Sequence, residues 1–542
     1  MPDNTVPGCS TAGRHSIGKI HHNQLSTKAI GSPWGVHIRA AERAEPGSKA
    51  PLKGSAPFFQ GPPPGEKSAY YPRSWCIFRP QRISKVNLHQ RLIQRATAGN
   101  PVRVGLIGAG KFGSMYLAQA RLTDGVQVVG VADLDPGRTR EALARTGWPE
   151  ERALSASTRG EINDAARSGR VALTEDAGEL IAAELDVVIE CTGNPEVGTR
   201  HILGALDNGR HVVNVTVEAD ALVGPALRRR ADRAGLVYSM AYGDQPALVC
   251  EMVDWARTCG LDVVAAGKGT KHLPEYHYST PDTVFDHYGL SAGQRKTGDL
   301  NPKMFNSFLD GTKSAIEMAA IANSTGLRPQ PFGLRFPAVG TDRLSEVLKP
   351  QTHGGVLSHS ATVEVVSCLN PDGSPVPNDL RWGVYITFKA QAEYSQQCFA
   401  QYGVLTDSSG EYAALYRPSH LIGLELGISV ASVALRHEPT GSPQHFCGDV
   451  VAVAKRDLRV GEALDGEGGY TVFGQLVPAK DSVSRRALPL GLTARARVVR
   501  AVPRDQTLTY EDVELSASSQ VLELRREIEE EARGGAPGTL SS

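Results

Sequence analysis

The chain has 542 residues, with 58 basic and 58 acidic side chains and an apolar fraction of 41%. A zero net charge argues against a nucleic-acid or anionic-membrane partner. No apolar run approaches the roughly 18 residues needed to cross a bilayer. Eight scattered cysteines without a C-x-x-C pair argue against a zinc site or a disulfide framework and fit a reducing cytoplasm.

Residues 1–85 do not read as a domain. Pro, Gly and Ser dominate, 12 basic residues face four acidic ones, and apolar positions keep no period of 2 or 3.6. A disordered basic tail and a targeting peptide are two readings. The preferred third is a start site assigned too far upstream, with translation beginning near Val86. A short amphipathic helix, residues 87–98, follows.

The next stretch is the most informative. An apolar run from Val102 to Ile107 leads into Gly108-Ala109-Gly110-Lys111-Phe112-Gly113, then a helical pattern, a second apolar run from Val126 to Ala132, and Asp133. Strand, G-x-G-x-x-G, helix, strand and acid in that order form a dinucleotide-binding arrangement. Gly108 permits the tight turn, Gly110 lets the backbone approach a pyrophosphate, and Gly113 lets helix and strand pack closely. The free N–H groups of the helix N-terminus, where Lys111 and Phe112 lie, favour phosphate. Asp133 can accept from both ribose hydroxyls and repels a 2′-phosphate, so NAD is expected over NADP. A further strand, 186–190, ends in Cys191-Thr192-Gly193, a small-residue turn expected beside the nicotinamide. Strands at 211–215 and 237–239 follow, and the helix 220–235 between them carries Arg228, Arg229 and Arg230 on an expected solvated face.

Beyond residue 243 the character changes. A helix at 244–259 and a strand at 263–267 precede a polar loop that includes Lys268, Lys271, His272, His277 and Asp282. Long loops after strands commonly carry binding groups. From about Pro302 to Asn323 one helix is expected. Asn306, Asp310, Lys313 and Glu317 share a stripe about 60° wide. Their spacing also suits an ordinary salt-bridged surface. The functional reading places Lys313 between two carboxylates, protonating or polarising a carbonyl oxygen as hydride arrives, with a divalent ion on the carboxylates as an option. Lys271 and His272 are second candidates. Strands and turns alternate over 331–436, a small β-rich unit follows, and a charged helical tail closes the chain.

Several of these segments resemble a known family. Gly108–Gly113, Pro274-Glu275-Tyr276-His277, Asn301 to Lys313 and Asp379-Leu380-Arg381-Trp382-Gly383 are similar to the homoserine-dehydrogenase-related oxidoreductases called DRL, named for their likeness to 1-deoxy-D-xylulose 5-phosphate reductoisomerase. The β-rich unit resembles a SAF domain. The resemblance implies an α/β protein with an N-terminal Rossmann domain (86–243), an α+β catalytic and dimerisation domain (244–437), a small β-rich SAF-like domain (438–515) and a tail (516–542). A phosphorylated substrate would want clustered cations, for which Lys268, Lys271, Arg295, Lys296 and Lys303 are candidates.

The expected protein is a cytoplasmic, homodimeric NAD(P)-dependent oxidoreductase acting on a small polyhydroxylated carbonyl compound: a sugar, sugar phosphate or hydroxy acid. One alternative is reductoisomerase activity with Mg²⁺ or Mn²⁺. Another is a non-catalytic sensor of cofactor or sugar.

Overall fold

The computed structural model describes residues 87–297, 300–515 and 519–534, all within one compact unit, Arg82–Ser542. The reading of residues 1–85 and the side chain of Lys296 lie outside the described residues.

Helix α1, Leu88–Thr97, starts at Asn87, whose side chain accepts from the Gln90 N–H at 3.1 Å. Apolar runs then build strands β1 (Val102–Ile107), β2 (Val126–Ala132), β3 (Ala153–Ser155), β4 (Val171–Thr174), β5 (Val187–Glu190), β6 (His211–Asn214) and β7 (Tyr238–Met240). They pair in parallel in the order β3-β4-β2-β1-β5-β6-β7. Continuous apolar strands suit a parallel sheet covered on both faces. β3 and β4 escape sequence reading because Ala153-Leu154-Ser155 and Val171-Ala172-Leu173-Thr174 lack the adjacent Val and Ile residues that mark β5 and β6, strands of similar length. The order reverses at β1, so the carboxyl ends of β1 and β5 open the crevice where ligands bind in such sheets.

Helix α2 (Lys111–Ala120) follows β1, and α3 (Val217–Arg233) follows β6. Arg229 and Arg230 of α3 are not simply solvated. Both reach Glu527, and Arg229 also reaches Glu531.

Helix α4 (Gln245–Thr258) leads to a second, mixed sheet of β8 (Asp262–Thr270), β9 (Thr362–Ser367), β10 (Val384–Lys389), β11 (Leu405–Thr406) and β12 (Tyr412–Arg417), ordered β11-β12-β10-β8-β9. The expected single helix over 302–323 is two: α5 (Pro302–Leu309) and α6 (Thr312–Thr325). Gly311 breaks it in the left-handed region at φ 86°, and the Asp310 carboxylate accepts from the Thr312 N–H at 2.9 Å. A glycine closing one helix and opening the next is a known terminator. Every residue of α6 is buried except Lys313, so the stripe is no solvent face.

Helix α7 (Gly427–Arg436) packs on α1, and the Arg91 guanidinium donates to Leu435 O at 2.7 Å. Strands β13 (Gly448–Ala454) and β14 (Val472–Pro478) form an antiparallel pair against α6. The final helix α8 (Gln520–Gly534), read from sequence as a charged tail, packs Val521, Leu524 and Ile528 into the same core cluster as the nucleotide-binding half. Among the described residues, no helix is long and apolar enough to cross a membrane.

Candidate active site

The nucleotide cradle follows from local chemistry. Gly108 sits at φ 103°, and a Cβ there would meet Cys191 O at 2.8 Å. A Cβ on Gly113 would strike Gly108 O, whereas the space above Gly110 is open, which leaves the turn accessible to a pyrophosphate. Lys111 is exposed and Phe112 half-buried at the start of α2. Cys191 donates through Sγ to Ile107 O at 3.1 Å and Gly108 O at 3.0 Å. Burial, then Glu190 and Asp133, raise its thiol pKa well above the ordinary value, so it ties two strand ends together as a neutral thiol. Thr192 donates from its hydroxyl to Glu190 at 2.5 Å, and the Gly193 N–H donates to Thr216 Oγ1 at 3.0 Å.

Asp133 departs from the expectation that its oxygens face a ribose. They accept from the Ala109 N–H at 2.7 Å, the Asp135 N–H at 3.1 Å and the Arg138 guanidinium at 2.7 and 2.9 Å. The Asp133 side chain is 4% exposed and that of Arg138 57%. The group offered to the crevice mouth is the arginine.

Thr216, just past the carboxyl end of β6, caps α3, whose second residue is Glu218. That carboxylate forms an ion pair with Lys313 of α6. The partners expected for Lys313 are arranged differently. Glu317 pairs with Lys268 of β8. Asp310 accepts from Lys455 at 2.8 Å, and the same ammonium donates to Ser279 O and Gly469 O, each at 2.8 Å. Asp244, just before α4, and Glu467, on the loop before β14, complete the group. Burial alone would lower the Lys313 pKa, but Glu218, then Glu467, Glu317 and Asp244, hold the ammonium above its ordinary range. Burial, then Glu317, pushes Asp244 up to about 7 against the pull of Lys313. Burial, then Glu218, pushes Glu467 up to about 7. The arrangement is a lysine held charged, beside two carboxyl groups that exchange protons near neutrality. Such a set can protonate an alkoxide and recover the proton.

The second candidates stand differently. His272 is 4% exposed and stacks on Phe336 with ring centroids 3.8 Å apart. Burial, then His277, pushes it down to about 3, so the ring is neutral near pH 7 and does not act as an imidazolium acid. Lys271 donates to His287 O at 2.5 Å, and burial, then Arg381, lowers its pKa. Among the described residues, no group of three His, Cys, Asp or Glu side chains could hold a metal ion.

Sequence reasoning missed Glu218, Asp244, Lys455 and Glu467. Lys268 carried a signal, a lysine prolonging the apolar run 263–267. Lys455 carried the same one, following Val450–Ala454.

Raised carboxyl groups also set a pH trend. Asp220, which accepts from the Tyr238 hydroxyl at 2.6 Å, is pushed up to about 8, mainly by burial. A folded pKa above the unfolded one means the native state binds the extra proton. The associated stability is complete below about pH 4 and is lost as pH rises through the folded value. The unfolding midpoint is therefore expected to fall between pH 6 and 8.5, with a shallower fall in Asp220→Asn. Equal slopes in the two proteins, measured by calorimetry, would refute this.

The family model described as oxidoreductase DRL, catalytic domain, matches residues 243–426, and the homoserine dehydrogenase NAD binding domain matches 104–239. The chain thus carries a DRL-type oxidoreductase catalytic domain behind an NAD-binding domain of the homoserine dehydrogenase kind. No curated protein matches it. Among solved structures, the oxidoreductase resembles the WlbA dehydrogenase from Bordetella pertussis in complex with NADH and UDP-GlcNAcA, at 17% identity and TM-score 0.23, over 32% of this chain and 46% of that one. It also resembles 1-deoxy-D-xylulose 5-phosphate reductoisomerase from Zymomonas mobilis in complex with NADPH, at 15% identity and TM-score 0.29, over 41% and 58%. A probable dehydrogenase from Thermotoga maritima matches at 13% identity and TM-score 0.31, over 62% and 90%. The oxidoreductase thus spans about half the length of the first two. Likenesses this distant carry no argument about substrate, which rests on the residues of the site.

Proposed function

We propose that this oxidoreductase reduces the carbonyl group of a small polyhydroxylated compound, a sugar, sugar phosphate or hydroxy acid, or runs the reverse oxidation. A nicotinamide cofactor, held by the Gly108–Gly113 turn and the Cys191-Thr192-Gly193 turn, would supply hydride to the carbonyl carbon, and the Lys313 ammonium gives its proton to the oxygen. A neighbouring carboxyl group, Asp244 or Glu467, then restores the lysine. The observation that carries this reading is the line from the Cys191-Thr192-Gly193 turn through Thr216 to Glu218 and on to Lys313. It brings Lys313, the one residue of α6 that is not fully buried, toward the carboxyl ends of β5 and β6. The many carboxylates and lysines around it suit hydroxyl groups, which both donate and accept. The test is turnover of a panel of keto-sugars and polyols with either nicotinamide cofactor. Absence of turnover across the panel, with cofactor bound, would favour a sensor instead.

The cofactor reading follows from Arg138. Because Asp133 is engaged within the protein, its charge is offset and its oxygens are occupied. An exposed guanidinium in this place accommodates a 2′-phosphate. NADPH is therefore expected to be accepted alongside NADH. Arg138→Leu should lower kcat/KM for NADPH by about tenfold or more, the scale of one charge-assisted pair, and leave NADH within about threefold. A uniform loss with both cofactors would assign Arg138 to holding Asp133 alone.

A further inference from the structure

The amino ends of the parallel strands carry a second feature, at the opposite edge of the sheet from the cofactor crevice. A cavity of about 350 Å³ is lined by Arg95 of α1, Arg103 of β1, Asp186 just before β5, Arg210 and His211 at the start of β6, and His437 after α7. Three guanidinium groups and one carboxylate line it, and Glu184 beside them is shared between Arg103 and Arg167, so the cavity carries a net positive charge while the histidines are neutral.

The pairing is incomplete. Arg103 reaches Asp186 at 3.4 Å and Glu184 at 3.3 Å. Arg95 has only a distant contact with Asp186, at 3.8 Å. Arg210 donates to Leu185 O at 2.9 Å and Ala183 O at 2.8 Å, and makes no ion pair among the described residues. The Nε atoms of Arg95 and Arg210 are both buried without a hydrogen-bond partner. Buried donors on a charged group are costly when unpaired. His211 accepts from the Val237 N–H through Nδ1 at 3.0 Å, so in the neutral ring Nε2 carries the hydrogen and is a further donor. Burial and then Arg103 lower the Arg210 pKa, against the opposing pull of Asp186 and Glu184.

We propose that this cavity is a binding site for a small phosphate monoester, whose anionic oxygens meet the partly exposed guanidinium groups of Arg95 and Arg103 and the Nε2 hydrogen of His211. Arginine forks suit phosphate geometry. The volume exceeds what a bare phosphate ion fills, since a water occupies about 30 Å³ in the liquid, and leaves room for an organic group of a few carbons. The site is separate from the cofactor crevice and does not depend on the substrate reading above.

The test is thermal unfolding of the full chain, with NADPH at saturation to occupy the crevice. Glycerol 3-phosphate and inorganic phosphate are compared with NaCl at matched ionic strength. The expected result is a saturable rise in midpoint with glycerol 3-phosphate. Arg95→Gln should weaken the half-saturating concentration about tenfold or more while leaving turnover unchanged. A saturable rise with inorganic phosphate alone would support the same chemistry with the free ion as its source. Arg210→Gln should act alike; because it also frees two carbonyls, Arg95→Gln decides if that variant fails to fold. A response no larger than that to NaCl, or one unchanged in Arg95→Gln, would overturn the proposal.

Discussion

Replacing Lys313 with Met is expected to lower kcat by about 10²- to 10⁴-fold, the usual contribution of a positioned general acid. The KM for the cofactor should move little, because the cradle is made by β1, α2 and the turn after β5. The same change leaves Glu218 without its cation. The side chains of this pair are 17% and 11% exposed, so the stability cost approaches the roughly 3–5 kcal/mol of a broken buried pair. The two effects separate in a double variant. Lys313→Met with Glu218→Gln should recover much of the unfolding midpoint and none of the turnover. Turnover within about threefold of the parent in the folded double variant would remove Lys313 from the chemistry.

The second large effect is expected at the other end of the molecule. Arg525 of α8 is fully buried and donates to Asp449 at 2.9 and 2.5 Å, to Glu529 at 2.8 Å and to Leu222 O at 3.3 Å. Its guanidinium also lies 4.9 Å from the Phe446 ring centroid. One side chain thus joins α8, α3 and the start of β13. Arg525→Met strands the buried Asp449 carboxylate, while Glu529 keeps Arg533 at 3.1 Å and the Tyr510 hydroxyl at 2.8 Å, and is expected to cost about 3–5 kcal/mol, read as a lower midpoint in denaturant. Activity per folded molecule should persist, since α8 contributes nothing to the Lys313 group. An unchanged midpoint would show that the apolar face of α8 suffices.

The nucleotide-binding half was legible because its signals are local. Gly108, Gly110, Gly113 and Asp133 lie on consecutive elements, and each has a steric or electrostatic reason readable from neighbours in sequence. Lys313 was legible for a similar reason, as a charge on a helical period. Its surroundings were not. Lys313 and Glu218 are 95 residues apart, and Lys455 and Asp310 are 145 apart; no period or turn chemistry encodes a meeting across that distance. The break at Gly311 left a trace, a glycine inside an otherwise helical pattern, but a sound helical pattern on both sides outweighed it. The role of α8 was hidden by its charges. Glu527 and Arg525 look like solvent-facing residues until their partners on α3 and β13 are in place.

The contact between Lys455 and Asp310 bears on how the enzyme comes into being. A ribosome releases the chain from its amino end, so the turn that aims Lys313 emerges with its buried carboxylate unneutralised. Lys455, and then the Glu467 loop anchored by Asn306 to Gly468 O at 3.0 Å, arrive only when most of the polypeptide has been made. A nascent fragment ending before them already holds strands β1 to β7, yet lacks part of the group proposed to move the proton. The group proposed around Lys313 is therefore complete only once Glu467 has been made, and the nucleotide-binding half gains the apolar face of α8 later still.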